Sequence, residues 1–273
     1  PGTDDNIASE AGDEDIDEAL AALIAGAAHQ VTHKVIHQRI SQSPMETRGV
    51  VATRDGNQEL KLYITCQSPH MIARWVSQAL GFPDTAIHVI AKDVGGSFGL
   101  KNQPWREETA TIIAALRYGR PLKWIEDRYE HMTSCCQCRE QEFELTIAYD
   151  KDGRFVASHG DYSANNGAFP QGADNNLAAH MFLWAAYKMP AYGFLTRGWY
   201  SNTTGLAAYR GPWAIESLVR ETALDKAARQ MGMDPVELRR RNIVQLADQP
   251  TATSMGIPID DVTTATCLEK LLE

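Results

Sequence analysis

Residues 86–105 read AIHVIAKDVGGSFGLKNQPW, and the change of character within them decides the fold. Ala86–Val94 is rich in apolar and β-branched residues and reads as a strand. The run Gly95-Gly96-Ser97-Phe98-Gly99 that follows reads as a tight turn, and a helix from about Trp105 to Tyr118 ends at Gly119.

Working upstream, Gly49–Thr53 and Leu60–Thr65 read as a hairpin turned at Asp55-Gly56. Ser68 stands as an N-cap with Pro69 at the first helical position. Met71, Ile72, Trp75, Val76, Ala79 and Leu80 then form an apolar stripe that stops at Gly81, which predicts a helix over 69–80. Farther back, Val31–Ile40 alternates like a strand, Ile16–Ala28 is helical, and residues 1–18 are acidic enough to predict a surface linker.

Downstream come a strand near Pro121–Asp127, a hairpin of Glu142–Tyr149 with Arg154–Tyr162 turned at Asp152-Gly153, and an irregular stretch to about Asn202. The last third is helical, and Asp234-Pro235-Val236-Glu237 supplies an N-cap, a proline at N1 and an acid at N3. Largely antiparallel strands mixed with segregated helices make the expected class α+β. The expected organisation is an acidic linker over 1–18 and one domain over 19–273, divisible into two subdomains.

The 273 residues are 44% hydrophobic, ample for a buried core, and the formal net charge is −9. That balance argues against a nucleic-acid surface, since the densest basic run is Arg239-Arg240-Arg241, a solvated helix face. The apolar run Ala19–Ala28 is too short to span a bilayer, and no secretory signal pattern opens the chain, so a cytoplasmic setting is expected. Five cysteines, three crowded at Cys135, Cys136 and Cys138, fit a reducing compartment. With Pro1 in place of Met and a terminal helix lacking a stop signal, a fragment is the expectation.

The turn at Gly95–Lys101 could bring backbone N–H groups close to an anion, yet it is no Walker loop: its bracketing glycines are too close and Asn102 follows the lysine. Ala207–Trp213, just before a long helix, offers Arg210 and free N–H groups to an anionic ligand, or Arg210 serves as a cap partner. Gln67 ends a strand with a neutral amide able to donate or accept. His131, Cys135, Cys136 and Cys138 lack the paired C-x-x-C spacing of zinc and iron–sulfur sites, and His29, His33 and His37 read as a polar strand face, so no directly ligating metal residue is expected. No carboxylate pair or Ser-His-Asp spacing stands out.

Taken in order, Gln67, the D-V-G-G-S-F-G-L-K loop at Asp93–Lys101, G-R-P-L at Gly119–Leu122, Tyr187-Lys188-Met189-Pro190, A-Y-R-G at Ala208–Gly211 and D-P-V-E-L-R-R-R-N at Asp234–Asn242 resemble the molybdopterin-binding subunit of the xanthine dehydrogenase, aldehyde oxidase and carbon monoxide dehydrogenase family. The similarity runs from about Met45 to Val244 and implies the first half of a molybdenum-cofactor-binding region. It implies that Gln67 hydrogen-bonds an oxo ligand of the molybdenum, that Gly96, Phe98 and Gly99 lay backbone against a molybdenum–pterin cofactor, in a dinucleotide form, and that Arg210 and Gly211 approach from the opposite wall, with Glu216 in the helix beyond.

The implied reaction is oxidative hydroxylation of an electron-poor carbon, with electrons leaving through 2Fe-2S clusters to FAD on other domains or subunits. The implied partners are the remaining half of the molybdenum subunit, those iron–sulfur and flavin parts, and a small-molecule substrate. The family's general-base glutamate lies in that remaining half, so the isolated chain is expected to be inactive and to hold no catalytic residue. Asn102 and Pro212, expected in the substrate pocket, depart from the Glu and aromatic residue of purine oxidisers, and Gly211 from the Cys of copper-containing carbon monoxide dehydrogenases. An aldehyde or N-heteroaromatic substrate is left. The alternatives are a non-catalytic cofactor-binding or assembly module, and an iron–sulfur protein built on the Cys135 cluster.

Overall fold

The computed structural model describes residues 5–54, 59–169, 176–211 and 214–273. The expected Asp55-Gly56 turn and Pro212 lie outside these described residues. In chain order the elements begin β1 (Ile7–Gly12), α1 (Glu18–Ala25), β2 (His29–Ile40), β3 (Gly49–Arg54), β4 (Leu60–Ile64), α2 (Pro69–Leu80) and β5 (Ile87–Ile90). They continue α3 (Arg106–Tyr118), β6 (Leu122–Ile125), α4 (Arg128–Ser134), β7 (Cys138–Tyr149), β8 (Phe155–Asn165), α5 (Asn176–Leu183) and β9 (Tyr192–Trp199). The last are α6 (Ile215–Met231), α7 (Pro235–Asn242), β10 (Thr251–Ala252), β11 (Pro258–Ile259) and α8 (Thr264–Leu272). Among the described residues no helix is long and apolar enough to cross a membrane.

The class is α+β, and the chain divides into two compact units. The first comprises Pro1–Arg39, Arg139–Thr203 and Gly211–Glu273. Its five-stranded sheet has the order β1-β9-β8-β7-β2. Phe143, Leu145 and Ile147 of β7, all wholly buried, pack in one cluster with Leu183 of α5 and Val219 and Ala223 of α6. Each such large apolar side chain contributes roughly 1.5–3 kcal/mol on leaving water. Leu20 of α1 packs with Ala148 and Ala157 in a separate, smaller cluster.

The second unit comprises Ile40–Cys138 and Thr204–Arg210. Its four-stranded sheet has the order β5-β4-β3-β6, and Val50, Ala52, Leu60, Leu62 and Ile64 pack against Ile72 and Val76 of α2 and Ile112 and Ala115 of α3. Gly81 and Gly119 both end their helices with positive φ, 69° and 62°, as the sequence predicts. Ser68 does not cap α2; its hydroxyl donates instead to Asn102 Oδ1 at 3.0 Å.

Two expectations are corrected in the first unit. The stretch read as irregular holds α5 and β9, and β9 runs parallel to β8. Parallel neighbours need a crossover, which α5 occupies. Gly193 and Gly198 disguise the strand, because a Cβ at either would strike a neighbour, Leu20 at 2.5 Å or Ser9, Asn166 and Asn176 at 2.7 Å. The linker read over 1–18 holds β1, paired antiparallel with β9, while Arg197 of β9 binds Glu10 at 2.6 Å. A backbone ladder needs no large apolar side chains, so composition alone concealed it.

Candidate functional site

The glycine turn lies in the second unit, between β5 and α3. Gly96, Phe98 and Gly99 all have positive φ, 103°, 55° and 101°. For Phe98 that conformation costs roughly 1–2 kcal/mol, so the surroundings must impose it. Its carbonyl accepts from Arg210 N–H at 2.9 Å, and its ring meets the edge of Tyr209 with centroids 6.2 Å apart, yet 42% of the residue stays exposed. Gly99 is required sterically as well: a Cβ there would lie 2.6 Å from the carbonyl oxygen of Ala208. That oxygen is fixed from elsewhere by Gln42 Nε2 at 3.0 Å.

Gln67 follows β4 and donates its N–H to Lys101 O at 3.0 Å. Its side-chain orientation follows from donor and acceptor counting. Gly99 N–H, which can only donate, lies 3.1 Å from Gln67 Oε1. Ser97 Oγ accepts Lys101 N–H at 3.0 Å and passes its own hydrogen to the same Oε1. The amide oxygen is thereby held against the turn. Gln67 is an exposed residue, and its amide nitrogen has no hydrogen-bond partner among the described residues and is left as a donor.

Beneath the turn, the wholly buried Lys101 ammonium pairs with Glu46 Oε2 at 2.9 Å, and Gly95 N–H reaches that oxygen at 2.9 Å. Burial would raise the Glu46 carboxyl, but these bonds outweigh it and hold the group below the usual carboxylate range.

Of the residues named from sequence, Gln67, Gly96, Phe98, Gly99 and Arg210 all belong to this unit, and hydrogen bonds tie Gln67 to Gly99 and Phe98 to Arg210. Arg210 is exposed, and a Cβ on Gly96 would meet the Pro44 Cβ at 3.3 Å. Asn102 is half-buried, its oxygen taken by Ser68. Gly211 belongs to the first unit, where its carbonyl accepts from Arg139 Nη1 at 3.0 Å. In α6 the buried Glu216 pairs with Arg220 at 2.5 Å, and burial pushes its carboxyl up. Ser97, Glu46 and Lys101 were not singled out from sequence: Glu46 and Lys101 meet across 55 positions, and no local pattern announces that pairing.

The histidine and cysteine run resolves differently. Cys66, Cys135, Cys136 and Cys138 are buried thiols, the Cys138 Sγ donating to Ile40 O at 3.2 Å, and burial pushes Cys136 up to about 12. Donor atoms of Glu126, His131 and Cys135 lie within 4.8 Å of one another. The Glu126 carboxylate is already spent, however, on Arg48 N, Nε and Nη2 and on His131 Nδ1. The Arg48 guanidinium holds Glu126 Oε1 while His131 Nδ1 meets Oε2, and the group reads as a buried ion-pair network.

The chain matches the family model described as molybdopterin cofactor-binding domain over residues 1–243. It is 32% identical over 247 residues to the 6-hydroxypseudooxynicotine dehydrogenase complex subunit gamma of Paenarthrobacter nicotinovorans, covering 89% of this chain and 30% of that one. It is 30% identical over 262 residues to the carbon monoxide dehydrogenase large chain of Hydrogenophaga pseudoflava, covering 93% and 33%. Quinoline 2-oxidoreductase from Pseudomonas putida 86 shares the fold with a TM-score of 0.88 and 32% identity, over 97% of this chain and 34% of that structure's. The chain thus spans about a third of the length of these relatives. By fold, ordered motifs and family model, it belongs to the molybdopterin cofactor-binding domain family of the molybdenum hydroxylases.

Proposed function

We propose that this chain forms the first half of the molybdenum-cofactor-binding region of a cytoplasmic molybdenum hydroxylase. The observation that carries the reading is the Gln67 amide, pinned by its oxygen and offering an unspent N–H pair beside a turn whose Gly95 and Phe98 are exposed. Such a donor suits a cofactor oxygen, and glycine turns with free amides suit an anionic pterin phosphate on an acidic protein. The residues present therefore fit the group. When bound, the molybdenum–pterin cofactor, in a dinucleotide form, supplies the oxidation and the oxygen transfer.

The chain's own part is to bind and orient. Gln67 donates to the cofactor, Gly96 and Gly99 admit it to the backbone, Phe98 covers it, and Arg210 with Gly211 closes the second wall. Asn102 faces the substrate. An aldehyde or N-heteroaromatic compound is the proposed substrate class; a quinoline and a nicotine derivative appear in the names of two relatives, and Gly211 offers no thiol where a copper ion would need one. The general base, a glutamate, comes from the remaining half of the subunit, and 2Fe-2S and FAD parts take the electrons. The isolated chain turns over no substrate.

The test is made on the complete enzyme. Metal analysis gives one molybdenum per active subunit, and Gln67→Ala lowers kcat roughly 10- to 100-fold. Activity persisting without molybdenum, or undiminished in the Gln67→Ala enzyme, refutes the reading.

A further inference from the structure

Glu46 does something that a surface carboxylate does not: one of its oxygens gathers both ends of the glycine turn. Oε2 takes Gly95 N–H and Lys101 Nζ, each at 2.9 Å, and Glu46 N–H returns a bond to Gly95 O at 3.1 Å. The Lys101 ammonium is wholly buried, and among the described residues Glu46 is its hydrogen-bond partner. A buried ammonium stripped of its counter-charge is strongly unfavourable, so the lysine cannot leave and the spacing from residue 95 to residue 101 is fixed. Inside that closed ring, Lys101 N–H lies 3.0 Å from Ser97 Oγ, and the Ser97 hydroxyl donates to Gln67 Oε1. The Gly99 N–H that completes the grip on Gln67 belongs to the same ring.

Building on the cofactor-binding reading of Gln67, we infer that Glu46 and Lys101 are positioning residues: their buried ion pair closes the turn and, through Ser97, sets the direction in which the Gln67 amide donates. A pair of this kind could instead merely settle a stray charge. The two roles differ in what happens when both charges are removed together, because charge balance is then restored while the ring is left open.

The complete enzyme is prepared as wild type, Glu46→Gln and the double variant Glu46→Gln/Lys101→Met. Four quantities are read: kcat against KM, the Mo(V) paramagnetic resonance g-values, the thermal midpoint, and hydrogen–deuterium exchange over residues 93–102. Glu46→Gln is expected to lower kcat at least tenfold with KM within threefold, to shift the g-values, and to speed exchange at Gly95, Gly99 and Lys101 about tenfold. The double variant is expected to regain the thermal midpoint but neither kcat nor slow exchange. Should Glu46→Gln fail to fold, the double variant carries the comparison with wild type. Wild-type kcat and exchange in the double variant would overturn the inference, leaving the pair as charge settlement alone. Exchange needs no metal. If wild-type enzyme held no molybdenum, the cofactor reading would fall, and the exchange comparison would still decide whether Glu46 closes the turn.

Discussion

Arg48 and Lys101 are both buried cations of the second unit, with side chains 2% and 0% exposed, yet their surroundings differ in kind. Arg48 spends itself completely: Nε and Nη2 on Glu126, Nη1 on Glu107 and Glu108, and its guanidinium over the Trp124 ring at 5.2 Å. Burial opposes its charge, but Glu108 and Glu126 outweigh burial and push its pKa up. Lys101 has one carboxylate and underlies a turn in which three residues hold positive φ and against which the Gln67 amide oxygen is held, leaving its nitrogen unspent. Density of buried charge therefore marks a joint of the fold. Backbone strain beside an unused donor marks the proposed site.

Removing the joint should have the largest effect on stability. Arg48→Met leaves Glu108 and Glu126 buried without their cation, and urea unfolding should show a loss of about 3–5 kcal/mol; a loss under 1 kcal/mol would erase the distinction. Gly99→Ala comes next, since a Cβ meets Ala208 O in a backbone at φ 101°, and about 3 kcal/mol should be lost. Gly119→Ala has positive φ but nothing within 4 Å of the new Cβ. It should cost about 1 kcal/mol and so separate conformational strain from collision. Gln67→Ala should change the unfolding midpoint least, within about 0.5 kcal/mol, while activity falls as proposed. If stability and activity fell together there, the amide would be structural.

The parts of the fold legible in sequence were those fixed by local chemistry. The stops at Gly81 and Gly119, the Asp234 cap on Val236 and Glu237 N–H, and the strand–turn–helix around Gly95–Gly99 all follow from residues within one turn of each other. What could not be read depends on distant partners. Ser68 follows the sequence pattern of a cap, but its hydroxyl goes to Asn102. The glycines of β9 signal loop until Leu20, Ser9 and Asn176 are in place beside them. At the site, the ordered motifs implied Gln67 and Phe98, but the Glu46–Lys101 pair and the Ser97 relay exist only once the chain has folded.

The acidic strand β1 has a practical consequence. Were the protein trimmed to begin at residue 19, where composition places the start of the domain, β9 would become an edge of the remaining four-stranded sheet. Its free N–H and C=O groups would then be a template for strands of other copies. In wild type β1 covers that edge, its Glu10 paired with Arg197 of β9 at 2.6 Å. The segment that looks most dispensable thus covers the edge of β9.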